Sequence, residues 1–209
     1  MLRTDLRPTV ALLGAMLVAT TFIAAPAGAA APSFNAAGEL ERPADYRSWV
    51  FLTSGLGMTY GSNSSDGNRP APFTNVFVNP EAYKAFVKSG RWPDGTLFAL
   101  EIRLAEENVS INTGGRTQGA MVALEAAVKD SKRYPDGGWA YFSFDGDKGL
   151  KPRVAPFPRS ADCYSCHRAH GAVEWTFTQF YPELFAVAKQ KGTVRPDYDP
   201  ARKLGSPAP

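Results

Sequence analysis

Apolar and polar positions alternate through much of this chain with the two-residue period of a half-buried β-strand. The clearest run is Leu97 to Leu104. There Phe98, Leu100, Ile102 and Leu104 share one face and Glu101 and Arg103 the other, so the apolar face is expected to look into a core or a cofactor pocket. Tyr46 to Thr53, Phe73 to Val78 and Trp139 to Phe144 are rich in aromatic and β-branched residues and read as further strands. Ala120 to Val128 reads as a strand between turn signals, although its alanines also fit a helix. A helical pattern begins at Asn79-Pro80-Glu81, with Asn79 as N-cap, Tyr83, Phe86 and Val87 on one face and Gly90 at its end. A second helix spans Pro182 to Lys191 and stops at Gly192.

The connections follow from turn chemistry. Trp92-Pro93-Asp94-Gly95 and Pro135-Asp136-Gly137-Gly138 are turns. Residues 54–72 form a long loop dense in Gly, Ser, Asn and Pro, and 108–117 a weak strand or loop. Residues 148–160 are a Pro-rich connection, and 172–178 are short helix or coil. The expected fold class is therefore mainly β: an antiparallel β-sheet domain with a few short helices.

The ends of the chain change the picture. Arg3 and Arg7 precede the apolar stretch Thr9 to Ala25, and Ala27-Gly28-Ala29 supplies small residues for cleavage, which reads as an export signal. A retained membrane anchor is the alternative, but the stretch is short and interrupted by Gly14. The expected organisation is a removed signal peptide at 1–29 and an extended lead-in at 30–45. A single domain then occupies 46–192, followed by a loose tail at 193–209. The full chain carries a net charge of +3 with its lysines and arginines scattered, so no nucleic-acid partner is expected, because such a partner needs a clustered basic face. No membrane association is expected once the signal is removed.

The chemistry concentrates in Cys163-Tyr164-Ser165-Cys166-His167, which contains both cysteines of the chain. Two cysteines separated by two residues and followed at once by histidine form the attachment pattern of a c-type haem, here near the C-terminal end of the domain. Each thiol can add to one haem vinyl group, and the tether then holds His167 under the iron as its axial ligand. A disulfide, a thioredoxin-like pair or a zinc set completed by His170 are the alternatives. A βαβ pattern is absent for the second, and four ligands within eight residues is unusual for the third. Covalent haem attachment in bacteria occurs outside the cytoplasm, so the motif and the export signal agree. A sixth iron ligand would have to come from Met58, Met121, His170 or a lysine. Each methionine also reads as packing, and His170 as a surface or propionate-contacting residue.

The ordered blocks along the chain resemble the cytochrome P-460 family, which includes the β-sheet cytochromes c-prime-beta. They are Tyr46-Arg47-Ser48-Trp49-Val50, Val76 to Tyr83, Pro93-Asp94-Gly95-Thr96, Val128 to Tyr134, Gly138 to Phe142, the haem motif, and Phe177 to Pro182. The resemblance covers residues 40–190. It implies one covalent haem c, a proximal histidine at His167, high-spin iron with an open sixth position, and a homodimer. Members that oxidise hydroxylamine carry a lysine joined to the haem edge, at the position of Leu100 here, and a glutamate at the position of Ala169. Leucine cannot form that bond. Both departures shift the expectation toward the c-prime-beta type, with Leu100 and Phe98 or Ile102 lining the distal side; ordinary core packing is the other reading of these three. The expected function is a periplasmic mono-haem cytochrome binding nitric oxide or a similar small gaseous or nitrogenous ligand. Oxidation of hydroxylamine or nitric oxide, with electrons passed to a partner cytochrome, is the enzymatic alternative. Plain electron transfer with a methionine as sixth ligand is the third.

Overall fold

Five strands pair side by side in chain order, each antiparallel to the next, and form a meander. They are β2 (Val50–Leu56), β3 (Phe73–Val78), β4 (Leu97–Glu107), β5 (Arg116–Lys129) and β6 (Trp139–Ser143). A small separate ladder joins β1 (Leu40–Glu41) to β7 (Arg153–Val154). Among the described residues three α-helices complete the fold: α1 (Pro80–Ser89), α2 (Asp162–His170) and α3 (Pro182–Lys191). The computed structural model describes residues 31–58 and 71–202. The expected export signal at 1–29 and much of the expected loop at 54–72 lie outside the described residues.

The mainly β expectation holds, and the helix ends follow the local signals. Pro80 and Pro182 open their helices, and Gly90 and Gly192 close them in left-handed conformation. Asn79 is the N-cap of α1 and its carbonyl accepts from the Tyr83 amide at 3.2 Å, but its side chain makes no cap hydrogen bond. Its amide nitrogen donates to the Gly95 carbonyl at 3.1 Å, and its side-chain oxygen accepts from the Leu97 amide at 2.9 Å. The residue thus fastens the helix entry to the start of β4.

Both faces of the sheet are covered, and this overturns part of the alternating pattern. On one face Leu52, Val78, Phe98, Trp139 and Tyr141 pack with Phe86 of α1, Trp92, Tyr164 of α2 and Leu184 of α3. On the other, Leu97, Ala99, Leu124, Ala126 and Phe142 pack with Leu40, Tyr46, Trp49 and Val154. The face assigned to Glu101 and Arg103 is therefore a second core over much of its length. Glu101 is only 1 % exposed. Leu104, expected on the buried face, is 40 % exposed because irregular pairing around Arg103 ends the alternation there.

Other boundaries shift for stated reasons. Tyr46–Ser48 is a turn of 3-10 helix instead of strand, and β2 starts at Val50 and runs on to Leu56. That turn lets Tyr46 fold over the sheet into the second core. The expected lead-in and the Pro-rich connection each lend two residues to the β1–β7 ladder. The expected loose tail is tied down over its first part. Arg195 donates its backbone amide to the Ala172 carbonyl at 2.9 Å, and Tyr198 packs edge-on against Phe185 at 5.8 Å.

Candidate haem site

The cysteine pair lies on α2, a nine-residue helix seated against β6. Tyr164, between the two cysteines, fixes the seating. Its ring meets Tyr141 of β6 edge-on at 5.0 Å, and its hydroxyl donates to the Phe157 carbonyl at 3.1 Å. Arg159 lies over the same ring at 4.2 Å. With Tyr164 turned into the core, Cys163 and Cys166 fall three residues apart and so face the same way. Both are half-buried and unbonded to each other. Burial pushes both thiols above the ordinary cysteine range. Among the described residues no three His, Cys, Asp or Glu side chains gather as a metal set, so the zinc alternative has no converging ligands.

His167 follows on the same helix and is sandwiched between rings. Tyr141 lies 4.2 Å from it and Phe177 4.3 Å, measured between centroids. Its Nδ1 is 2.9 Å from the Trp175 carbonyl oxygen. A carbonyl only accepts, so Nδ1 must carry the proton, which leaves the Nε2 lone pair for a metal. Burial lowers the imidazole pKa to about 4, so the ring is neutral at pH 7. A neutral, oriented imidazole with a free nitrogen, one residue beyond a half-buried thiol pair, is the donor set that covalent haem needs. The residues present fit that group.

A tight turn holds the accepting carbonyl. Val173 and Thr176 bridge across it, and Glu174 inside it has a positive φ of 54°. Such a conformation is costly for a residue with a side chain and must be held by its surroundings. Here Lys129 of β5 pairs with Glu174 at 2.7 Å and also donates to the Trp92 carbonyl at 2.7 Å. The Thr176 hydroxyl donates to the Val173 carbonyl at 2.7 Å. The indole of Trp175 lies where a Cβ on Gly137 would be, so only glycine fits there. Gly171 leaves similar room: its Cβ would stand 2.8 Å from the His167 carbonyl oxygen.

The other sequence-predicted residues divide. Leu100 is half-buried on β4, flanked in register by Val76 of β3 and Glu125 of β5. Phe98 is 5 % exposed and belongs to the aromatic core, 4.7 Å from Trp92 and 6.0 Å from Tyr181. Ala169 is half-buried on α2, two residues beyond His167. Met121 lies on the opposite side of the sheet, its sulfur 3.5 Å from the Tyr46 hydroxyl. Met58 rests on the edge of the sheet with its sulfur 3.8 Å from the Thr74 hydroxyl. His170 stays on α2 with the proximal histidine.

Two functional groups escaped the sequence reading. Tyr141 was visible only as a strand aromatic, and nothing local marks the Trp175 carbonyl as a partner of His167. Glu125 is the third residue to note. Cross-strand pairing places it opposite Leu100 and Ser143. Burial, then the charge of Asp145, pushes its carboxyl above the ordinary range.

Fold and site together define a class: a β-sheet protein with a c-type haem attachment motif on a short helix. The chain belongs to the cytochrome P-460 family, since the family model described as Cytochrome P460 matches residues 43–178. That family implies haem c, in keeping with Cys163, Cys166 and His167. No curated protein matches the chain. Among the described residues no helix is long and apolar enough to cross a membrane.

Proposed function

We propose that the protein is an exported, periplasmic mono-haem cytochrome whose iron is held by His167 and binds nitric oxide or a similar small ligand at its open position. One observation supports the reading: two of the side chains named as possible sixth ligands are engaged elsewhere. Met121 is committed to the far side of the sheet beside Tyr46, and His170 shares the helix of the proximal ligand. Haem supplies an iron centre for small diatomic ligands. The chain supplies a neutral histidine, two anchoring thiols and an apolar residue, Leu100, where hydroxylamine-oxidising relatives carry lysine. An apolar side chain above the iron favours ligands that need no hydrogen-bond donor, such as nitric oxide and carbon monoxide. A homodimer and a redox-partner cytochrome belong to the same proposal.

The test is the optical spectrum of protein matured in a periplasm, oxidised and reduced, with and without nitric oxide. A high-spin ferrous spectrum that changes with the gas is expected. Sharp low-spin bands indifferent to the gas would sink the proposal and favour electron transfer with Met58 as ligand.

Glu125 favours a second reading. A carboxyl biased toward its protonated form, beside Leu100, could hand on protons during oxidation of hydroxylamine. Steady-state turnover with an artificial electron acceptor, abolished in Glu125→Gln, would put that reading first. Absence of turnover in the wild type removes it.

A further inference from the structure

The carbonyl that orients His167 has a second donor. The Tyr141 hydroxyl donates to the same Trp175 oxygen at 3.1 Å, while His167 Nδ1 approaches it at 2.9 Å. A backbone carbonyl has two lone pairs and can accept both. Two donors on one acceptor compete, however, because each withdraws electron density that the other would use. This is the reverse of the mutual strengthening found along a chain of hydrogen bonds. The geometry leaves little freedom to escape the competition. Tyr141 is buried on β6 with its ring against His167, and the turn bearing the carbonyl is held by Lys129–Glu174 and by the indole seated over Gly137.

We propose that Tyr141 is a positioning residue for the iron's proximal ligand, weakening the His167–Trp175 hydrogen bond by sharing its acceptor and so keeping the imidazole a modest donor. This rests on the haem c reading of the site. A hydrogen bond from the far nitrogen of a ligating histidine raises its basicity, and that second-shell contact is one of the levers a protein has on iron chemistry. Sharing the acceptor turns the lever down. A less basic imidazole stabilises ferric iron less, so the arrangement holds the iron toward its ferrous form.

The test uses covalently matured holoprotein. Tyr141→Phe removes the hydroxyl and keeps the ring against His167. The expected result is an upward shift of the ferrous iron–histidine stretch in resonance Raman, together with a lower midpoint potential. Tyr46→Phe removes another buried hydroxyl, on the opposite face of the sheet, where it serves Glu101. That variant is expected to lose thermal stability and to leave both readouts at their wild-type values. An unchanged stretch and potential in Tyr141→Phe overturns the inference, as does an equal shift in both variants. A matured wild-type protein whose chain carries no acid-stable haem overturns the haem reading itself, which separates the two failures.

Discussion

Glu101 shows how far a single residue can depart from its pattern. It sits where an alternating strand should face water, yet it accepts from Tyr46, Arg47, Arg103 and Asn75 inside the second core. Burial alone would raise its carboxyl pKa. The hydrogen bonds from Tyr46, Arg103 and Asn75, with the Arg103 charge, outweigh burial, and the net shift is downward. A carboxylate depressed in the folded state contributes stability that is complete above its unfolded value and is lost as pH falls through the folded one. Replacing Glu101 with Gln leaves two arginines short of their anion. The expected cost is about 3 kcal/mol at pH 7, the low end for a broken buried pair, because the Arg47 side chain is 54 % exposed. Denaturant unfolding across the acid range should show a smaller loss in the variant, and equal acid slopes would contradict the assignment. Glu125 runs in the opposite sense. Its carboxyl is raised, so ionisation works against the fold once pH exceeds the unfolded carboxylate value. Glu125→Gln should therefore stabilise the protein at pH 7 and do little at pH 4, as read by the same unfolding curves. At Leu100, the position at which the family resemblance implies a haem-joined lysine, substitution by lysine tests that correspondence. A red-shifted band in the matured variant is the expected outcome, and an unchanged spectrum would move the haem edge away from β4.

Among the elements, those set by local chemistry were legible and those set by packing were not. α1 and α3 carry proline at their starts and glycine at their ends, and their bounds follow these signals. The 3-10 turn at Tyr46–Ser48 does not, since its residues have ordinary strand propensity. Burial of Tyr46 against the second core overrides that preference. The turn around Glu174 is also tertiary. Its positive φ is held by Lys129, forty-five residues away in sequence. Gly137 completes the turn by making room for Trp175 while itself adopting a φ of 80°. Gly137→Ala should cost about 1–3 kcal/mol from backbone strain before any steric adjustment of the indole. Thermal unfolding followed by circular dichroism should show a fall of several degrees, given about 2–4 °C per kcal/mol for a chain of this size. No change in midpoint would mean that Trp175 does not rest on that glycine.

For the whole molecule, the expected export signal and the haem motif make a joint prediction. Protein matured in a periplasm should have the intact mass of a chain beginning at residue 30 plus one haem that survives acid extraction. Replacing Cys163 and Cys166 with alanine should release the haem on extraction. An uncleaved chain would favour the membrane-anchor alternative.

The sequence by itself determined the class of fold, the ends of α1 and α3 and the thiol–thiol–imidazole triplet, because each rests on neighbours within a few residues. Strand alternation, proline and glycine punctuation and a three-residue cysteine spacing are local facts, and local facts survive folding. Tertiary structure alone decided that both faces of the sheet are buried, that Glu101 is an internal anion and that His167 donates its Nδ1–H to the Trp175 carbonyl. It also decided that Phe98 belongs to the core while Leu100 remains beside Glu125. These outcomes depend on which distant segment covers each face, and only a packed chain brings β1, Tyr46, α2 and the Glu174 turn to the positions that settle them.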